Sequence, residues 1–154
     1  MFLRGVALAL TTGAVWVAQA GTAHAPTTPA RPSEVEPTME IVFTRADRQI
    51  RAELNDSRAA SDLFKQLPQD LDFSDFNGAE KIATLREPLS TAGMPDGYEP
   101  QVGDLAWFEP NGVIVVFYGE APPFQGLFPL GRLVDDVDPF AAQKTDFTVR
   151  AARG

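Results

Sequence analysis

The 154-residue chain contains no cysteine and only one histidine, His24. Without cysteine it can form no disulfide and no thiolate metal site, and it has no thiol to carry a lipid anchor. Zinc sites need cysteine or histidine ligands, and a catalytic serine needs a base such as histidine beside it. The composition therefore argues against a zinc centre and a serine–histidine hydrolase, and we expect no cofactor.

Basic residues are also scarce, with 13 lysines and arginines against 21 aspartates and glutamates. The formal net charge is −8, and loss of Arg4 with the amino-terminal segment would make it −9. An acidic surface repels phosphate backbones and anionic lipid headgroups. We therefore expect no nucleic-acid partner and, once the amino-terminal segment is removed, no stable membrane contact. A polymer partner would be cationic or neutral.

Long apolar runs are missing except at the start, where residues 5–17 follow a short segment that contains Arg4. This layout is typical of a secretory signal peptide, because the run is short for a membrane span. We expect residues 1–25 to be the signal, cleaved after Ala20 or Ala25, and we favour Ala20 because the other cut leaves Pro26 at the new terminus. The protein is then exported, periplasmic or secreted; an uncleaved anchor is the alternative.

The remaining chain divides into a linker and a domain. Residues 26–38 are rich in proline and threonine, a composition typical of a stiff tether. Residues 39–150 have the apolar content and periodicity of one folded domain. Near its end, Asp135, Asp136 and Asp138 could be considered as a cation site, but acidic residues before a helix are ordinary capping groups, and we favour that interpretation.

The run at residues 113–118 is apolar up to Tyr118 and too short for a helix. It predicts a strand that is buried on both faces. The preceding Glu-Pro-Asn-Gly, residues 109–112, favours a tight turn, so residues 105–108 should pair with this strand as a hairpin. If Phe117 points into the protein interior, Tyr118 points outward.

Other segments have patterns that predict strands and helices. Residues 49–54 alternate cleanly and should form a hairpin with residues 39–44. A helix capped by Asn55 or Asp56 should follow, and Pro68 ends it. The remaining predicted elements are strands at 71–76, 81–85, 127–134 and 146–150, a long loop at 86–102, a short helix from Asp138 through Gln143, and a frayed end at 151–154. About eight short strands predict a closed antiparallel barrel with one or two capping helices.

The order of these elements resembles that of the small bacterial cyclophilin-like fold proteins. The similarity covers residues 39–149 and depends on spaced short motifs, namely Asn77-Gly78, Glu80-Lys81, the segment from Leu85 to Ser90, Gly103-Asp104-Leu105, Val116-Phe117-Tyr118 and Leu130-Gly131-Arg132. It implies a mainly β fold, a closed eight-stranded antiparallel barrel capped by helices, as in the peptidyl-prolyl isomerases. The chain lacks the Phe-His-Arg segment of true cyclophilins, so no catalytic residue is carried over and the catalytic residues stay unknown.

Seven aromatic residues are candidates for either a packed core or a ligand groove. A barrel interior needs bulky side chains, which favours core packing for most of them. We expect Tyr98, Tyr118 and Phe124 to line a pocket, because two lie in loops and one follows the apolar strand. The full set is Tyr98, Trp107, Phe108, Phe117, Tyr118, Phe124 and Phe128.

Arg86 and Arg132 are further ligand candidates, since isomerisation needs a donor aimed at the prolyl nitrogen. For Arg132, an ion pair with Asp104 is the alternative that we favour. A hydrolytic dyad of Ser90 with Lys81 has no support, because Lys81 looks exposed. Glu80 and Asp104 could flank a sugar bond, but a chain with 21 acidic residues is expected to contain a close carboxylate pair by chance.

These patterns leave three functions open. The first is a non-catalytic domain that binds a small ligand or peptide in an aromatic groove, which we favour. The second is a weak peptidyl-prolyl cis-trans isomerase acting on exported proteins. The third is an interaction domain with a filled barrel. The sequence does not specify the ligand or the oligomeric state.

Overall fold

The structure is a computed structural model, and it describes residues 38–154. The predicted signal peptide and nearly all of the predicted linker lie outside the described residues. The strands are β1 (Met39–Arg45), β2 (Arg48–Leu54), β3 (Gln69–Phe76), β4 (Glu80–Thr84), β5 (Asp104–Phe108), β6 (Val113–Phe117), β7 (Leu127–Leu133) and β8 (Phe147–Arg153). The α-helices are α1 (Arg58–Gln66) and α2 (Asp138–Ala141), and a 3-10 turn spans Glu109–Asn111.

The eight strands form a closed barrel in the order β1-β2-β7-β5-β6-β4-β3-β8. Every neighbouring pair is antiparallel. Closure leaves no strand of this sheet with an unpaired edge. The predicted fold class is therefore confirmed, and so are the hairpins β1–β2 and β5–β6.

Strand β6 is buried along its whole length, as its apolar run predicts. Ile114 and Val116 belong to the cluster inside the barrel. Val113, Val115 and Phe117 belong to a second cluster on the outer face. The condition that Phe117 points inward is not met, because alternation along β6 gives the interior to its even-numbered residues.

Helix α1 follows β2, and its Ala59, Ala60 and Leu63 are buried in the interior cluster. Its N-cap is Ser57, whose side-chain oxygen accepts a hydrogen bond from the Ala60 N–H at 3.1 Å. The predicted caps Asn55 and Asp56 are one or two residues early. Asn55 instead accepts from the Ser57 N–H and donates to the Pro129 carbonyl, so it fixes the approach to the helix.

Helix α2 closes one end of the barrel. It ends at Ala141, two residues short of the prediction. Phe140 of this helix is buried and packs edge-on against Phe43 and Phe73 of the strands. The T-shaped geometry is the favoured arrangement for aromatic pairs. The aromatic packing of α2 therefore fills the end of the barrel.

Strand β8 continues to Arg153, so the prediction of a frayed end at 151–154 is wrong. Ala151 is buried and lies opposite both Phe43 of β1 and Gln69 of β3. Small alanines give a weak strand signal, and pairing on both sides supplies the stability that local propensity lacks.

Within residues 38–154, no helix combines the length and the apolar character that a membrane span requires.

Candidate ligand groove

The outer face of the barrel carries an apolar cluster of its own. Its buried members come from β5, β6 and β7 and are Ala106, Val113, Val115, Phe117 and Leu127. Two loops cover part of it: Tyr98 comes from the loop before β5, and Ala121 and Phe124 come from the loop before β7. The backbones of Tyr98 and Phe124 form an isolated antiparallel bridge, which ties the two loops together.

Where this cover stops, a groove of about 290 Å³ remains open beside the cluster. Its walls are largely apolar and include Ile82, Phe108, Val115, Pro122 and Phe124. The rings of Phe108 and Phe124 pack edge-on with centroids 5.5 Å apart. An apolar concavity with a few polar groups is the usual form of a small-molecule site.

The polar groups of the groove are Asn77, Asn111 and Glu80. Glu80 is only 8% exposed, and it pairs in register with Phe117. Within the described part of the chain, its carboxylate forms neither a hydrogen bond nor an ion pair. Burial raises the pKa of Glu80 above its ordinary value, since an apolar environment disfavours the charged form.

Of the predicted site residues, Phe124 lines the groove and Tyr98 packs beside it. The Tyr98 hydroxyl is enclosed and has no hydrogen-bond partner among residues 38–154. Burial, together with the nearby charge of Asp104, raises the pKa of Tyr98. Tyr98 therefore packs against the apolar cluster, while Phe124 forms part of the groove wall.

Tyr118 lies elsewhere, in a polar network at the α2 end of the barrel. Its hydroxyl donates to the Asp75 carboxylate at 2.6 Å, and this bond raises the pKa of Tyr118 to about 12. Lys81 also donates to Asp75 and to the Gln143 carbonyl, both at 2.6 Å. The expectation that Lys81 is exposed is wrong: the side chain points inward from β4 and is almost fully buried.

The two arginines lie outside the groove. Arg132 borders a polar cleft of about 760 Å³, where it donates to the Val102 carbonyl and lies 3.7 Å from the Asp104 carboxylate. This supports the structural role proposed for it. Arg86 borders a separate cleft beside α1, with Asp62 and Lys65.

The serine–lysine dyad and the acidic cation site considered from the sequence do not form. Lys81 donates to Asp75, whereas the Ser90 N–H donates to the Asp62 carboxylate of α1. Ser90 and Lys81 therefore form no dyad. Asp135 pairs with Arg51, and Asp136 accepts from the Asp138 N–H in the turn before α2. The N-cap of α2 is Val137, which forms no side-chain capping bond. Within residues 38–154, no cluster of acidic or histidine side chains could hold a metal ion.

Sequence reasoning missed Glu80, Phe76 and Ile82 as groove residues. Alternation along β4 could have placed Glu80 and Ile82 on one face, with Lys81 and Ala83 on the other. What the sequence did not indicate is which of these faces lies inside the barrel, because Glu80 and Lys81 look equally suited to solvent.

A search of curated proteins found no match to the chain. Among solved structures, the chain is similar to a hypothetical protein of Archaeoglobus fulgidus determined in solution, with a TM-score of 0.59 and 15% identity over 79% of this chain and 99% of that one. At this identity the likeness shows the fold alone. Residues 43–152, most of the chain, match the model of the cyclophilin-like family. The chain therefore belongs to the cyclophilin-like family.

Proposed function

We propose that this domain is a non-catalytic binding module that holds a small ligand in the groove on its outer face. The observation that carries the proposal is the groove itself, an apolar concavity that the loops around Tyr98 and Phe124 leave uncovered. The barrel interior is filled by side chains such as Trp107, Phe73 and Phe140, and the concavity beside Phe140 measures only about 30 Å³.

The size of the groove favours a small ligand over an extended peptide. Its volume of about 290 Å³ is near the lower end of the range for small-molecule pockets. The exposed ring of Phe76 stands at its border and enlarges the apolar surface that a ligand can cover. A peptide would be held mainly through one side chain inserted at this point.

The alternative function is weak peptidyl-prolyl isomerase activity. Isomerisation requires a donor near the prolyl nitrogen to weaken amide resonance. The donors that line the groove are the neutral amides of Asn77 and Asn111, and Arg86 and Arg132 border other clefts. Because both arginines lie outside the groove, the proposed function is binding without catalysis.

We also propose that the domain acts after export, on the basis of the signal-like pattern in residues 1–25. Mass spectrometry of the mature protein tests this, because cleavage after Ala20 or Ala25 gives a defined new terminus.

The binding proposal is tested by screening small apolar and aromatic compounds by NMR against the wild-type domain and two variants. Phe124→Ala should weaken binding of hits about tenfold, since a buried aromatic contact contributes more than 1 kcal/mol. Phe64→Ala is the matched control, because Phe64 is a half-buried ring on α1 outside the groove. Equal losses in both variants, or no hits at all, would refute the proposal.

Catalysis is tested separately with a protease-coupled proline peptide assay. We expect rates at background. Rates above background that disappear in Arg86→Ala or Arg132→Ala would favour the isomerase instead.

A further inference from the structure

Among residues 38–154, the groove contains one ionisable side chain, Glu80, which lies among aromatic and aliphatic walls. Its oxygens are not sealed in: the fully enclosed side-chain polar atoms without partners in residues 38–154 belong to Gln69, Tyr98 and Trp107. The carboxylate of Glu80 is thus mostly desolvated yet can be reached from the groove.

No basic group of the described residues neutralises this carboxylate. Lys81 is its neighbour in sequence, but alternation along β4 directs the lysine to the barrel interior, where it bonds Asp75 and Gln143. Arg132 is engaged with Asp104 and the Val102 carbonyl in a separate cleft. Glu80 therefore retains its full capacity to accept hydrogen bonds.

A buried carboxylate without a partner is unfavourable, and a cation that enters the site relieves that cost. Charge-assisted hydrogen bonds are stronger than neutral ones, and aromatic ring faces also attract organic cations. Phe76, Phe108 and Phe124 supply such rings around the groove. The acidic net charge of −8 adds a long-range attraction for the same class of ligand.

We propose that the groove selects a small organic ammonium ion with an apolar or aromatic body, whose charged nitrogen bonds the Glu80 carboxylate. This inference rests on the proposed binding function and specifies its ligand class. The apolar body covers Val115 and Phe124, and the ammonium group replaces the water that burial has removed from Glu80.

The test compares two probes of nearly equal shape, 2-phenylethylamine and 2-phenylethanol, by NMR titration of the full chain. Wild-type protein should bind the amine at least about tenfold more tightly than the alcohol, since a hydrogen bond to a charged group contributes about 1.5–3 kcal/mol. Glu80→Gln should reduce this preference to about one.

Glu120→Gln is the matched control, because Glu120 is an exposed acid in the neighbouring polar cleft. It should keep the full preference for the amine, whereas a general effect of net charge would lower the preference equally in both variants and overturn the proposal. The comparison of the two probes on wild-type protein needs no variant to fold.

Failure of this inference can be distinguished from failure of the binding function. Equal binding of amine and alcohol, with shifts at Val115 and Phe124, would overturn the ammonium preference and leave the groove as a binding site. Absence of shifts there with either probe would overturn both.

Discussion

Lys81 and Asp75 form an ion pair of 2.6 Å in which the lysine is almost completely buried and the aspartate is 40% exposed. The pair lies where β3 and β4 meet beneath α2, and Gln143 and Tyr118 complete its hydrogen bonds. The unequal burial of the two partners leads to unequal consequences when either is removed.

We predict that Asp75→Ala destabilises the domain more than Lys81→Met. The first change leaves a buried ammonium without its counter-ion, which costs about 3 kcal/mol or more. The second leaves a carboxylate that water can reach and one unpaired carbonyl, with an expected loss of about 1 kcal/mol. Urea unfolding measures both free energies.

Asp70→Ala serves as the control, because Asp70 pairs with Arg150 at the exposed surface and should contribute less than about 1 kcal/mol. A larger loss in Lys81→Met than in Asp75→Ala would contradict this account of the network.

The same network predicts acid sensitivity. Hydrogen bonds from Lys81, and then from Tyr118, lower the pKa of Asp75 from its ordinary value of 3.8 to about 2. Because the folded-state pKa is depressed, the stabilisation is complete above about pH 5 and is lost progressively as the pH falls to about 1. Asp62 and Asp135 have lowered pKa values as well, through Lys65 and Arg51, and contribute in the same direction.

The measurement is the free energy of unfolding as a function of pH for wild-type protein and Asp75→Asn. The slope between pH 4 and 2 should be smaller in the variant. An unchanged slope would mean that Asp75 titrates in the native state as it does in the unfolded chain.

The two tyrosines of the domain should respond in opposite directions to loss of their hydroxyls. Tyr98→Phe removes an enclosed hydroxyl that has no partner among the described residues, so stability should rise by about 1 kcal/mol. Tyr118→Phe removes a donor to Asp75, so stability should fall by about 1 kcal/mol. Thermal unfolding of both variants checks the prediction, and a lower melting temperature for Tyr98→Phe would contradict it.

Gly131 lies in β7 where the strand has an irregular register against β5. A side-chain carbon at this position would overlap the Glu53 carbonyl oxygen of the neighbouring β2 backbone. Such a contact cannot be relieved by a rotamer change, so Gly131→Ala should cost about 3 kcal/mol or more. The control is Gly93→Ala, where an added carbon meets open space and only the positive φ is unfavourable. Similar losses in chemical denaturation would contradict the close approach.

Strong local patterns were enough to predict most of the barrel. The apolar run of β6, the alternation in β2 and the turn residues between β5 and β6 each match their final structure. Family resemblance and strand count then agreed on closure. The end of β8 was missed because its alanines are held by partners on both sides, which is a tertiary effect.

The candidate site was less predictable. Phe124 was identified from its loop position, but Glu80 and Lys81 were not recognised, because burial of a charged side chain depends on partners distant in sequence. Asp75 and Gln143 make burial of Lys81 acceptable, and the facing strand β6 encloses Glu80. Only the assembled barrel shows which face each residue occupies.

Strand β6 also provides the most direct test of where a ligand binds, because its methyl groups alternate between the two faces. Nuclear Overhauser effects from bound 2-phenylethylamine should reach the methyl groups of Val113 and Val115 on the outer face, and of Ile82 beside them. Contacts to Ile114 and Val116 instead would place the ligand inside the barrel and contradict the central claim that the outer groove is the binding site.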